Sequence, residues 1–137
     1  MEGKQVQLIN QIIALERANY SRLPMTKSKA SAIIKDEILD FQFTKPTISF
    51  IFRRSVSVQP ESFFQVSVEF SYKADLSQAS MEELDKNGNL TKEFLEGHLQ
   101  KIASNTNICA VASNIVSNLT AVNGNNPVVT PPLFIKG

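Results

Sequence analysis

The chain has 137 residues, 42% of them apolar and 20% charged, with a formal net charge of +1. That length supports one domain with its own core, residues 1–137, and not two. The near-neutral balance excludes the basic excess of a dedicated nucleic-acid binder, and no apolar run approaches the roughly 18 residues of a membrane span.

The N-terminus, "MEGKQVQLINQII", contains an acidic residue, no long apolar core and no small-residue cleavage site. It does not read as a signal peptide, so the cytoplasm is the expected compartment. The single cysteine, Cys109, allows no intrachain disulfide, in keeping with a reducing environment. Charge is unevenly placed. Residues 1–54 carry nine Lys/Arg against five Asp/Glu, and residues 61–96 carry eight Asp/Glu against three Lys.

In chain order, "VQLINQIIALERANY" comes first. Leu8, Ile9, Ile12, Ile13 and Leu15 fit an amphipathic helix better than Val6, Leu8, Ile12, Ala14, Ala18 and Tyr20 fit a strand. A polar loop, "SRLPMTKSKAS", follows. In "EILDFQF", Leu39, Phe41 and Phe43 alternate with Asp40 and Gln42, the period of a half-buried strand. "TKP" ends it, because Pro46 cannot continue a ladder. "TISFIFRRSVSV" sets Ile48, Phe50, Phe52, Val56 and Val58 against Ser49, Arg53, Ser55 and Ser57. "QPES" joins it to "SFFQVSVEFSY", where Phe64, Val66, Val68, Phe70 and Tyr72 alternate with polar residues. The two runs predict an antiparallel hairpin.

From residue 91 the period becomes helical. Thr91 is placed to cap a short helix with Phe94, Leu95, Leu99 and Ile102 on its apolar side. A longer helix, "NICAVASNIVSNLTAV", presents Ile108, Val111, Ala112, Ile115, Val116 and Leu119 on one face, and Gly124 is a natural stop. Its opposite face, Ser113, Asn114, Ser117 and Asn118, is uncharged. No Asp, Glu, Lys, Arg or His occurs from Ile102 to Ile135. Small uncharged polar residues let a second surface approach closely, so this face is the candidate subunit interface. The chain closes on an extended Pro-rich tail. Strands first and helices last predict an α+β domain.

No constellation for catalysis emerges. His98 is the only histidine and has no triad or metal-ligand partners at workable spacing. Cys109 stands at a helix start, where a thiol can be activated, but has no resolving cysteine or histidine base. In "DKNGNLTKEFLE", Asp85, Asn87, Asn89, Glu93 and Glu96 occupy calcium-loop spacing, yet Leu90 stands where such a loop needs glycine. An Asn-Gly turn leading to the Thr91 cap is the simpler reading. Arg53 and Arg54 are neighbours on a strand and so point to opposite faces. The expectation is a non-enzyme without metal or cofactor. Apolar surface remains: the Phe64–Tyr72 strand and a tail whose prolines reduce the entropy lost on packing. A stiff apolar flap beside a sheet suits an extended polypeptide groove.

The order of elements and the segment Asn107–Ile135 resemble the bacterial protein-export chaperone SecB and its relatives. Family members continue their long helix into an "I-S-x-L-T"-like segment, a Gly-containing loop, and "P-V" followed by two hydrophobic residues and "P-P". Here Val116, Ser117, Leu119 and Thr120 fit the helix, Gly124 the loop, and Pro127, Val128, Val129, Pro131 and Pro132 the tail. The family's Phe-Pro-Tyr-x-Arg helix start is replaced by Cys109, Ala110, Val111, Ala112 and Ser113. The resemblance implies that residues 6–20 form a strand rather than a helix, giving a four-stranded antiparallel sheet followed by a short helix, a long helix and an extended Pro-rich tail. It implies a homotetramer, a dimer of dimers with helices between outer sheets, meeting through Ser113, Asn114, Ser117 and Asn118. It further implies binding of unfolded polypeptides or preproteins without ATP, in grooves floored by Phe64, Val66, Val68 and Phe70 and roofed by Leu133 and Phe134. The translocation ATPase SecA is the family's partner through an acidic sheet surface, whereas this chain is near neutral. The alternative is a divergent SecB-fold oligomer with a fixed protein partner, as in a toxin–antitoxin system or a phage.

Overall fold

The computed structural model describes residues 6–22, 31–59, 64–122, 128–132 and 134–135. Four antiparallel strands, β1 (Leu8–Arg22), β2 (Ser31–Thr44), β3 (Thr47–Gln59) and β4 (Phe64–Leu76), form one sheet in the order β1-β4-β3-β2. Four helices follow: α1 (Gln78–Lys86), α2 (Lys92–Glu96), α3 (Leu99–Ser104) and α4 (Ile108–Val122). The result is the α+β arrangement expected, a sheet covered on one face by its C-terminal helices.

Strand alternation sets the layers. On β4, Phe64, Val66, Val68, Phe70, Tyr72, Ala74 and Leu76 are all buried and point to the helices. On β3 the matching set is Ile48, Phe50, Phe52, Arg54 and Val56. Removing a side chain of this size from water contributes about 1.5–3 kcal/mol, so the two central strands supply most of the sheet's share of the core. α4 lies over β4 and closes the core with Ile108, Cys109, Ala112 and Val116. Val111, Ile115 and Leu119 pack at its margin.

Residues 8–20 of the segment that is helical by pattern lie in β1, and two bulges explain the deception. The β1–β4 register shifts between Ile9 and Ile12 and between Leu15 and Arg17. Each extra residue reverses the in–out phase, so apolar residues recur at uneven steps that mimic a helical period. Leu8, Ile13, Leu15, Ala18 and Tyr20 stand opposite the buried residues of β4, while Ile9 and Ile12 fall on the open face. Asn10, inside the first bulge, has φ 56°, which asparagine tolerates better than most residues. Asp75 holds it in place, accepting from Asn10 Nδ2 at 3.1 Å and from Thr47 Oγ1 at 2.7 Å. The hydrogen bonds from Thr47 and Asn10 keep its carboxyl below the usual range.

A third bulge corrects the reading of "EILDFQF". Asp40 has φ 55°, and the β2–β3 register shifts between Leu39 and Gln42. Leu39 therefore faces Ile51 on the open side, whereas Phe43 faces Ile48 on the covered side.

The helical region is more divided than the expected short helix. "QASMEELDK" forms α1, capped by the Ser77 side chain, which accepts from Ser80 N at 3.1 Å. Asn89 N–H bonds Leu84 O and Gly88 N–H bonds Asp85 O, with Gly88 at φ 71°. The Asn-Gly pair is thus a helix C-terminal cap rather than a free turn. Thr91 caps α2 as its spacing predicts, accepting from Phe94 N at 3.1 Å. The stop expected at Gly124 lies outside the described residues.

Burial pushes the Cys109 thiol up to about 11 from its ordinary value near 9.0 and raises the Tyr72 phenol, whose hydroxyl donates to Gln11 Oε1. The folded thiol holds its proton more tightly than the unfolded one. Its contribution is complete below pH 9 and is lost as pH rises towards 11. Urea midpoints are therefore expected to fall across that window, with a shallower slope in Cys109→Ala. A flat wild-type profile contradicts this reading.

Candidate functional site

The site begins with two charges inside the apolar layer. The β2–β3 register places Asp36 opposite Arg54 on the covered face. Arg54 Nε donates to Asp36 Oδ1 and Nη2 to Oδ2, each at 2.7 Å, and both side chains are 0% exposed. Burying such a pair is costly unless its geometry is good and its remaining hydrogen-bonding capacity is used. Here the C-terminal strap, residues 128–132 and 134–135, uses it. Arg54 Nη1 donates to Thr130 Oγ1 at 2.9 Å and to Pro131 O at 2.6 Å, while Asp36 Oδ2 accepts from Ile135 N at 2.7 Å.

The helices hold the other side of the strap. Ser113 Oγ donates to Thr130 O, Thr120 Oγ1 accepts from Val128 N at 2.9 Å, and Phe134 N donates to Ser104 Oγ at 3.2 Å. Thr120 is itself buried and donates back to Val116 O, so its hydroxyl both fastens the strap and satisfies α4. The Phe134 ring meets Phe52 edge-on at 6.2 Å.

Beside the strap runs a groove of about 770 Å³ between β2 and the α2–α3 region. One wall is Asp36–Phe41; the other is Glu96–Lys101; Phe134 lies between them. Ile38, Phe41, Leu99 and Phe134 supply apolar surface, and Asp40, Glu96, His98, Gln100 and Lys101 a polar rim, while Glu37 and Leu39, whose side chains face the open side of the sheet, border it from the strand. β2 is an outer strand, so one of its edges has no strand partner among the described residues. An unpaired edge offers backbone donors and acceptors to an extended chain. The bulge at Asp40 breaks the regularity of that edge and limits how far a regular ladder could run.

The sequence-derived candidates are distributed as follows. Phe64, Val66, Val68 and Phe70 lie together on the covered face, at most 7% exposed, in the core beneath α4. A client could touch them only if the covering layer lifted. Phe134 lies in the groove, and Leu133 falls outside the described residues. Of the uncharged α4 face, Asn114 and Asn118 are exposed, Ser117 is half-buried, and Ser113 is occupied by the strap. His98 is exposed, its Nδ1 2.8 Å from Phe94 O and its ring stacked on Phe94. Cys109 is buried, with its thiol held protonated at neutral pH. Among the described residues no three His, Cys, Asp or Glu side chains group as metal ligands, and no helix is long and apolar enough to cross a membrane.

Sequence reasoning missed the Arg54–Asp36 pair. The signal was available: Arg54 is in phase with Phe52 and Val56, so an arginine stood at a core position of an alternating strand.

The fold is that of SecB-like proteins, as the resemblance in the sequence implied. A SecB-like chaperone of Mycobacterium tuberculosis, solved in complex with a ChAD peptide from the HigA1 antitoxin, superposes with a TM-score of 0.68 at 13% identity. The match covers 92% of this chain and 89% of that one. A protein of unknown function from Streptococcus agalactiae matches with a TM-score of 0.52 at 11% identity, over 93% of this chain and 99% of the other. No protein-family model and no curated protein sequence matches the chain.

Removing one member of the buried pair strands the other. Asp36→Ala is expected to lower unfolding stability by about 3–5 kcal/mol in urea titrations. Asp36→Leu combined with Arg54→Met is expected to cost less than the single change. A larger loss in the double variant overturns the claim that the penalty comes from an unpaired buried charge.

Proposed function

We propose that this chain is a SecB-like chaperone that binds unfolded or non-native polypeptide along β2, without ATP. The observation that carries this reading is the groove itself: an outer strand edge, apolar side chains beside it, and a polar rim. Backbone pairing to the edge gives affinity that tolerates many sequences, while Ile38, Phe41 and Phe134 exclude apolar client groups from water. By binding only the unfolded form, the protein would withhold client from aggregation through mass action. The fold shared with a chaperone solved with a bound peptide supports the same reading. In this proposal Phe64, Val66, Val68 and Phe70 support the groove from the core behind it.

A second reading, a dedicated protein partner instead of general clients, draws on the open sheet face. Glu37, Arg53 and Glu69 form a row across β2, β3 and β4, with Arg17 of β1 opposite Glu69. Arg53 bonds Glu69 at 2.6 Å and Glu37 at 3.3 Å, and the Glu69 contact chiefly raises its pKa. Charges that neutralise one another in this way do not make the acidic surface expected of a SecA-binding sheet. A fixed partner such as an antitoxin fits this surface better than an export role does.

The proposed assembly is a homotetramer. Its support is the uncharged outer face of α4 together with exposed Ile9, Ile12 and Leu15 on the outer strand β1. Light scattering after size exclusion is expected to give about four times the 15.2 kDa chain mass; a clean monomer at micromolar concentration rules the tetramer out.

Gln100 is exposed on the groove rim, so Gln100→Trp fills the groove without touching the core. It is expected to weaken binding of a reduced, unfolded client by about tenfold, read by fluorescence anisotropy, with little change in stability. Unchanged affinity places the clients elsewhere. Suppression of aggregation across several unrelated clients favours the chaperone; activity toward one partner alone favours the second reading.

A further inference from the structure

The strap is bound to the sheet in the manner of a ligand. Among the described residues it makes no backbone–backbone hydrogen bond to any strand or helix. There its ties run from backbone atoms or the Thr130 hydroxyl to side chains: Arg54, Asp36, Ser104, Ser113 and Thr120. Pro131 and Pro132 have no N–H to give to a ladder, so this segment cannot be zipped into the sheet at those positions. A backbone ladder holds an element as part of the fold. A set of side-chain clamps holds whatever extended chain presents its N–H and C=O groups at the right spacing.

Four of the clamps, Asp36, Ser104, Ser113 and Thr120, read only main-chain atoms of the strap, and Arg54 reads a main-chain carbonyl beside the Thr130 hydroxyl. Asp36 takes the Ile135 N–H, Ser104 the Phe134 N–H and Thr120 the Val128 N–H, while Ser113 reaches the Thr130 carbonyl and Arg54 the Pro131 carbonyl. They impose no sequence beyond a requirement for extended backbone. Apolar contact adds a preference for an aromatic side chain against Phe52. Asp36 and Phe134 also line the groove, so the strap's seat and the groove are continuous.

We propose that the strap's seat is a second segment of the polypeptide site, which takes an extended, apolar, aromatic-bearing stretch of client in place of the chain's own strap. This rests on the polypeptide-binding reading given above. The strap is the internal occupant that keeps Arg54, Asp36 and Phe52 satisfied when no client is bound. A short client fills the groove beside β2 and leaves the strap seated, whereas a long one continues into the seat and releases it. Because Arg54 and Asp36 stay paired with each other during the exchange, neither charge is left bare.

The full-length protein tests this with two probes: reduced, carboxymethylated α-lactalbumin as a long client, and a synthetic peptide with the strap sequence VVTPPLFIKG. Anisotropy reports whether each probe binds, and NMR hydrogen exchange reports the Ile135 amide. The expected result is that saturating client speeds exchange at Ile135 by at least about tenfold. Client bound with Ile135 exchange unchanged or slowed overturns the seat while leaving the groove intact. Client that does not bind sinks the chaperone reading, and the peptide then decides the seat: faster Ile135 exchange supports it, and no binding rejects it. Thr130→Val removes one acceptor from the chain's own strap and is expected to tighten peptide binding about fivefold to tenfold. Equal or weaker peptide binding in that variant, with its fold intact, also overturns the proposal.

Discussion

An arginine and an aspartate shut away from water join the sheet of this protein to its C-terminal strap. Arg54 and Asp36 face each other across β3 and β2 on the side that the helices cover. Paired charges in such a place stabilise the fold only when nearly all their hydrogen-bonding capacity is used. The sheet supplies the pair, and the strap supplies further partners at Thr130, Pro131 and Ile135. The strap's path is therefore dictated by the need to satisfy these two residues, and Phe134 reaches the groove because of it.

The rest of the layer arrangement supports that node. β3 and β4 are central strands; β4 alternates cleanly and packs its apolar residues under α4, while β3 carries Arg54 between Phe52 and Val56 on the same face. The outer strands β1 and β2 carry the bulges. The extra residues at Asn10 and Asp40, both at positive φ, bend the edges and change which side chains face the core. On β1 this leaves Ile9 and Ile12 exposed on the open face; on β2 it interrupts the edge along the groove. Irregularity thus falls on the two strands that have surface to offer a partner.

Electrostatics divide the molecule by face. Adjacent arginines on β3 have opposite fates because strand neighbours alternate: Arg53 lies in a row with the half-buried carboxylates Glu37 and Glu69, and Arg54 is sealed in the core. The open face is self-neutralising, the groove rim mixes Asp40 and Glu96 with Lys101, and the outer face of α4 has no charge. Polypeptide binding in this setting draws on apolar contact and backbone pairing more than on a field of one sign.

Local pattern alone determined β3, β4, α4 and the Thr91 cap, since each rests on a regular period or a single side chain acting on its own backbone. It also carried the tail signature, with the prolines and apolar residues that make a strap. It could not determine β1, because bulges gave a strand the spacing of a helix, and it passed over α1, whose weakly apolar nine residues depend on the Ser77 and Gly88 caps. The groove and the clamp were decided by tertiary structure. Asp36 and Arg54 are 18 residues apart in sequence, and Arg54 and Pro131 are 77 apart. Only the β2–β3 register and the return of the strap across it bring these groups within hydrogen-bonding distance. The same register turned Phe64, Val66, Val68 and Phe70 towards α4, because an alternating strand shows which residues share a face but not what covers it.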